Sequence, residues 1–213
     1  MKFRKYLPWL LAAALPWAAQ ATNVDQLRTQ WAHVRYEMPQ AQQLDAMLRV
    51  KSSADAALAA APADAPLLIW DGIITSTVAG LKGGLGALSL AKEARAKLEK
   101  AEQLQPGALG GSALISLGAL YYQVPGWPIG FGNKSKARAD LQAALKIDPD
   151  GIDANYFYAH FLYSEGDYAG ARRAAEHALA AAPRAGREVA DKGRRSEVAT
   201  LLARIGDKST DGG

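Results

Sequence analysis

Residues 151–183 read GIDANYFYAHFLYSEGDYAGARRAAEHALAAAP, and Gly166-Asp167 divides the stretch into two halves. In the first half Tyr158, Ala159 and Leu162 stand at i, i+1 and i+4; in the second, Ala171, Ala175 and Ala178 stand at i, i+4 and i+7. Both spacings place the residues on one face of a helix. Pro183, five residues beyond Ala178, lacks the amide donor another turn requires and stops the second helix. Gly166-Asp167 supplies the turn between the two.

The second half recurs twice upstream without gaps. Ala94, Leu98 and Ala101 lead to Pro106, and Ala137, Leu141 and Ala144 lead to Pro149, with the same intervals of 4, 3 and 5 residues. Small residues at these positions let a neighbouring helix approach closely, and a fixed-period recurrence of this kind is the mark of a stacked-repeat architecture. From Ile152 to two residues past Pro183 the unit is 34 residues long.

That unit resembles a tetratricopeptide (TPR) repeat. Tyr158-Ala159 stand at its Leu-Gly positions, Leu162 at its Tyr position, Ala171 and Ala178 at its two small-residue positions, and Pro183 at its terminal proline. Asn155 occupies the position usually held by Trp, and Ala175 that of the second helix's usual aromatic. Upstream, Ser112 to Gln123 (SALISLGALYYQ) carries Leu117-Gly118 and Tyr121 at the same positions, with its second helix seven residues late. A more degenerate unit runs from about Leu67 to Pro106, and Asp25 to Pro62 is expected to supply a fourth pair. Its register is open: Ala57 to Pro62 echoes Ala178 to Pro183, yet Ala54, Leu58, Ala61 and Pro66 satisfy the same spacing. Val198, Leu201, Leu202 and Ile205 then form an amphipathic stripe flanked by Arg194, Arg195, Glu197 and Arg204, as a capping helix requires. The expected fold is all-α: a TPR-like superhelix of antiparallel helix pairs with a C-terminal capping helix over residues 22–206, almost no strand, and a disordered tail over 207–213.

The seven-residue excess is the loop VPGWPIGFGN, residues 124–133. Two prolines and three glycines exclude a helix, and Val124, Trp127, Ile129 and Phe131 come with no charged residue between them. Such side chains either plug the body of the protein or meet a ligand. Two readings stand: Trp127 and Phe131 close one end of a binding groove, or Trp127 folds back to fill a gap in the core.

At the other end of the chain, Lys2, Arg4 and Lys5 precede an apolar run from Leu7 to Ala19 and the A-x-A site Ala19-Gln20-Ala21. Residues 1–21 read as a secretory signal peptide cleaved after Ala21, which predicts a periplasmic protein without an integral membrane segment after cleavage. The whole chain holds 25 Lys and Arg against 21 Asp and Glu; removing the leader's three basic residues leaves 22 against 21, a balance of +1 over 192 residues. Near neutrality gives no electrostatic case for nucleic acid or an anionic membrane surface, and the length suits one domain. With no cysteine there is neither a disulfide framework nor a cysteine nucleophile.

Catalytic and metal constellations are weak. His33, His160 and His177 are far apart and show no zinc-ligand spacing, and no G-x-S-x-G elbow occurs. Gly80-Leu-Lys82-Gly83-Gly84 lacks the Gly-Lys-Ser/Thr ending of a phosphate loop and reads as a turn between helices. Asp148, Asp150 and Asp153 lack the closing Glu of a calcium loop, and Asp153 reads as an N-cap for the following helix. No enzyme, metal or cofactor is expected.

The resemblance to TPR proteins implies that the first helices of the pairs line a concave groove. It puts Asp153, Tyr156, His160, Tyr163 and Ser164 at ligand-facing positions of the last repeat, and Ser112, Ile115, Ala119, Tyr122 and Gln123 at those of the preceding one. The Lys and Asn pattern with which some TPR domains clamp a C-terminal carboxylate is absent. The expected partner-binding residues are Tyr122, Trp127, Phe131, Tyr156, His160 and Tyr163, an aromatic set of the kind that interface hot spots favour. The expected function is a non-enzymatic scaffold for a protein or peptide partner. The alternative is a small-molecule-binding accessory of a periplasmic solute transporter, and groove shape decides between them: long and open for a peptide, short and closed for a solute.

Overall fold

The computed structural model describes residues 15–210. Its helices pair in order: α1 (Leu15–Tyr36) with α2 (Gln40–Ala60), α3 (Ala65–Lys82) with α4 (Gly84–Leu104), α5 (Ala108–Gln123) with α6 (Lys134–Ile147), and α7 (Ile152–Ser164) with α8 (Tyr168–Ala180), followed by α9 (Glu188–Thr210). The fold is all-α and superhelical; among the described residues the only extended pairing is an isolated bridge between Gly126 and Gly132. The leader assigned to residues 1–21 lies outside the described residues as far as residue 14. At the other end α9 runs through Thr210, past the boundary placed at 207, and residues 211–213 lie outside the described residues.

The alanine and leucine register seals each pair. Ala94, Leu98, Ala101, Ala137, Leu141, Ala144, Ala171, Ala175 and Ala178 are all at 0% exposure. Close approach also needs space on the facing helix. A Cβ added to Gly118 would stand 2.6 Å from Leu141 Cγ, and one added to Gly72 would stand 2.7 Å from Leu98 Cγ. The last pair has Ala159 and Ala175 at the equivalent positions, both fully buried, so an absent leucine and an added methyl compensate. Asn155, where the repeat usually has Trp, donates from Nδ2 to the carbonyls of Pro149 (2.7 Å) and Gly151 (3.0 Å) and pins the turn that enters α7.

Caps fall where short polar residues precede the helices. Asp64 accepts from the Leu67 amide, Asn133 from that of Lys136 and Asp167 from that of Gly170, at 2.8 to 3.0 Å. Asp153 is not a cap: α7 begins at Ile152 behind Gly151, and the Asp153 carboxylate is drawn instead to distant arginines. The open register of the first pair resolves toward the echo of the last. Val50 and Ala54 are buried with Ala57 half-buried, α2 ends two residues before Pro62, and Pro66 belongs to the first turn of α3. Val198, Leu201 and Ile205 of α9 are buried as a cap requires. Arg194, placed by its periodicity on the solvated flank, is only 8% exposed.

That burial follows from how the stack ends. The first helices of the pairs form an inner layer in which α1 packs on α3, α3 on α5, α5 on α7 and α7 on α9, and α9 in turn packs on α1. The inner layer is therefore a closed ring. At its seam Arg35 Nη2 donates to Glu197 Oε1 at 2.7 Å and the Tyr36 hydroxyl donates to Glu197 Oε2 at 3.3 Å, while Gly193 lies so close to the Tyr36 ring that an added Cβ would clash with its Cγ and Cδ1.

Candidate functional site: a cavity inside the helical ring

The ring surrounds a half-open cavity of about 710 Å³ to which all five inner helices contribute. One wall is aromatic. Trp31 of α1 meets Trp70 of α3 and Tyr36 edge-on, with ring centroids 5.9 and 5.7 Å apart, and Tyr156 and Phe157 of α7 face them from the other side. The Trp31 indole is fixed at its polar end, donating from Nε1 to Thr77 Oγ1 at 2.9 Å, and the Thr77 hydroxyl donates onward to the Ile73 carbonyl at 2.8 Å. Between these walls α5 presents small or apolar residues, Ser112, Ile115, Ser116 and Ala119, which leave the interior open.

A network of charges closes the α7 and α9 side. Asp153 accepts from Arg184 Nη1 at 2.8 Å and from Arg194 Nε at 2.7 Å; Arg194 Nη1 also donates to Glu197 at 2.6 Å, and Arg184 donates to Asp191 at 2.6 Å. Burial opposes ionisation of Asp153, but Arg194 and Arg184 outweigh it and hold its carboxyl well below the usual carboxylate range. The Arg194 guanidinium also lies over the rings of Tyr156 and Phe157, at 4.5 and 4.7 Å. Burial raises the Tyr36 and Tyr156 phenols, which stay neutral donors at pH 7.

Of the six residues expected to bind a partner, Tyr156 lines this cavity. Tyr122 and His160 sit beside it as a closed pair, with Tyr122 Oη 3.2 Å from His160 Nδ1 and the rings 5.7 Å apart. Burial and the charge of Arg204 lower the His160 pKa, keeping it neutral at pH 7. Tyr163 packs on Tyr168 at the α7–α8 turn, with ring centroids 5.5 Å apart.

The loop separates its two large aromatics. Phe131 turns inward, edge-on to Tyr121 at 5.9 Å and beneath the Arg95 guanidinium at 4.4 Å. Trp127 is 90% exposed, so it does not fill the core, and neither ring closes the cavity. Closure comes from α1 and α9.

Trp31, Trp70 and Arg187 are lining residues that the sequence reading passed over, and Arg194, read as a charge flanking the capping stripe, also lines the cavity. The same ligand-facing logic extended to the first two pairs would have drawn attention to the tryptophans. Arg187 just ahead of α9 and Arg194 within it stand seven residues apart in the helical period, but that this side turns inward depends on the ring. Among the described residues no group of three or more His, Asp or Glu could hold a metal ion, and no helix is long and apolar enough to cross a membrane.

No curated protein matches the sequence. Solved structures of similar outline include MamA, at 19% identity over 80% of this chain and 91% of that one with a TM-score of 0.47. A second is TTC0263, a thermophilic TPR protein of Thermus thermophilus, at 16% identity over 86% and 99% with a TM-score of 0.48. PilF of Pseudomonas aeruginosa follows at 14% identity over 89% and 91% with a TM-score of 0.36. Residues 130–205, from the end of the loop through most of α9, match the tetratricopeptide repeat family.

Proposed function

We propose that this chain is a non-enzymatic periplasmic scaffold that takes a segment of a protein partner into the cavity ringed by α1, α3, α5, α7 and α9. The observation that carries this reading is the aromatic lining: Trp31, Trp70 and Tyr156 border the cavity, and the Trp31 indole is already held at its polar end, so a ligand is met with little ordering cost. The periplasmic location rests on the leader pattern in residues 1–21. Trp127, exposed on a loop stiffened by two prolines, offers a second contact outside the ring.

A second reading has its own support. A cavity of about 710 Å³ falls within the range of small-ligand sites, which favours a solute-binding accessory of a transporter. The test is capture from an envelope extract with the chain beginning at Thr22, compared with Ser116→Trp, which fills the cavity, and Trp127→Ala. The scaffold reading expects a specific captured protein to be lost with Ser116→Trp. Equal capture by Ser116→Trp and wild type contradicts it.

A further inference from the structure

Every arginine around the cavity except one has a carboxylate. Arg35 is paired with Glu197, Arg194 with Asp153 and Glu197, Arg184 with Asp153 and Asp191, and Arg28 with Asp25 at 2.9 Å. Arg187, which lines the cavity from the segment before α9, forms no ion pair among the described residues, and its buried Nε has no hydrogen-bond partner. Its guanidinium lies 5.5 Å from the centre of the Trp70 ring. The nearby acids do not release it. Asp153 already accepts from two arginines, and Asp191 accepts from Arg184 Nε, Arg184 Nη2 and the Arg184 amide.

An unpaired, half-buried guanidinium is costly, and its surroundings raise that cost. Burial and the positive charges of Arg184 and Arg28 act against the Arg187 cation and outweigh the attraction of the Asp153 and Asp191 carboxylates, which are engaged by other arginines. A residue that serves only packing would be better placed as a neutral side chain. A planar donor fork beside Trp70, opening on a cavity with Trp31 and Tyr156 within it, instead suits a ligand with one anionic group on an apolar, aromatic-sized body.

We propose that Arg187 anchors an anion subsite of the central cavity, which takes an organic carboxylate whose apolar body packs on Trp70, Trp31 and Tyr156. This rests on the cavity being the binding site, and it adds the chemistry of what enters. A carboxylate of that description is borne either by a small organic acid or by the end of a peptide with a terminal aromatic residue.

The experiment uses two dyes of nearly one shape, anionic 8-anilinonaphthalene-1-sulfonate and neutral N-phenyl-1-naphthylamine, read by fluorescence. Wild type should bind the anionic dye more tightly. Arg187→Gln should weaken the anionic dye about tenfold, the scale of a charge-assisted hydrogen bond, and leave the neutral dye unchanged. Arg187→Lys should retain part of the preference. Ligand-free Arg187→Gln should melt at the same temperature as wild type or a few degrees higher, because an uncompensated charge is removed.

Displacement of the anionic dye by 4-phenylbutyrate, but not by its amide, identifies a small acid as a sufficient ligand. Displacement only by Ala-Ala-Phe with a free C-terminus, and not by its amidated form, identifies a peptide end. The inference is overturned if Arg187→Gln binds the anionic dye as wild type does, if neither carboxylate displaces it, or if Arg187→Gln melts well below wild type. Ser116→Trp separates the two levels: loss of both dyes there, with no effect of Arg187→Gln, sinks the anion subsite and leaves the cavity standing, whereas retention of both dyes removes the cavity as well.

Discussion

Gly118→Ala is the substitution whose outcome depends most directly on how the helix pairs seal. In isolation, alanine in place of a mid-helix glycine stabilises by about 1 kcal/mol. Here the new Cβ would stand 2.6 Å from Leu141 Cγ, 2.9 Å from its Cδ2 and 3.3 Å from the Ala137 carbonyl, in an interface where Leu141 is fully buried. Overpacking of that kind costs about 1–3 kcal/mol, so the net effect in wild type is a loss of about 1 kcal/mol. Leu141→Ala alone removes a fully buried side chain and should cost about 2–5 kcal/mol.

In the Leu141→Ala background the two contacts under 3 Å are gone, and only the 3.3 Å approach to the Ala137 carbonyl remains. Gly118→Ala should then stabilise by about 1 kcal/mol, giving a coupling near 2 kcal/mol and recreating the Ala159 and Ala175 pairing of the next repeat. The assay is urea unfolding of the four members of the cycle, followed by circular dichroism, with unchanged m values. A Gly118→Ala effect of the same sign and size in both backgrounds would refute the reasoning, since no steric coupling would then exist.

Two further predictions concern charge and the loop. Burial, reinforced by Glu102 and Glu99 against Lys136, pushes the Asp140 carboxyl up to about 6, so the folded state holds its proton more tightly than the unfolded chain does. The resulting penalty is absent below about pH 4, grows through pH 6 and is full above it; Asp140→Asn should therefore add about 1 kcal/mol at pH 7, allowing for solvent screening, and nothing at pH 3.5. Equal gains at both pH values in chemical denaturation would exclude ionisation as the cause. In the loop, Trp127→Ala should change stability by less than about 0.5 kcal/mol, while Phe131→Ala, which strips the contacts with Tyr121 and Arg95, should cost about 2 kcal/mol. The reverse order would mean that the exposed ring belongs to Phe131.

What was legible in the sequence was local. Three alanine and leucine positions followed by a proline define a helix within a few turns of the chain, so the last three pairs could be read from spacing, the cap from its apolar stripe, and the first pair only with its register open. The ring was not legible, because it depends on the rotation accumulated along the stack and joins Tyr36 to Glu197, 161 residues apart. Arg194 shows the consequence: its place in the helical period is that of a solvated flank, yet packing against Asp153, Tyr156 and Phe157 of α7 at the closed end of the stack buries it. Asp153 has the right chemistry and nearly the right position for a cap, yet Arg184 and Arg194, 31 and 41 residues away, outbid the helix terminus. Trp127 and Phe131 sit in one apolar loop, and which of the two turns inward is set by Tyr121 and Arg95 outside it.

Ring closure is the claim on which the cavity depends, and the absence of cysteine allows a direct measurement. Because a Cβ at Gly193 would fall against Cγ of Tyr36, the two Cβ atoms of a Tyr36→Cys/Gly193→Cys variant should lie within about 4 Å, the separation a disulfide spans. Under mild oxidation the account predicts near-complete intramolecular cross-linking of the monomer, with helicity unchanged and the melting temperature raised. Two free thiols persisting in a fully helical monomer would show that α1 and α9 stand apart, and would contradict the ring that bounds the site.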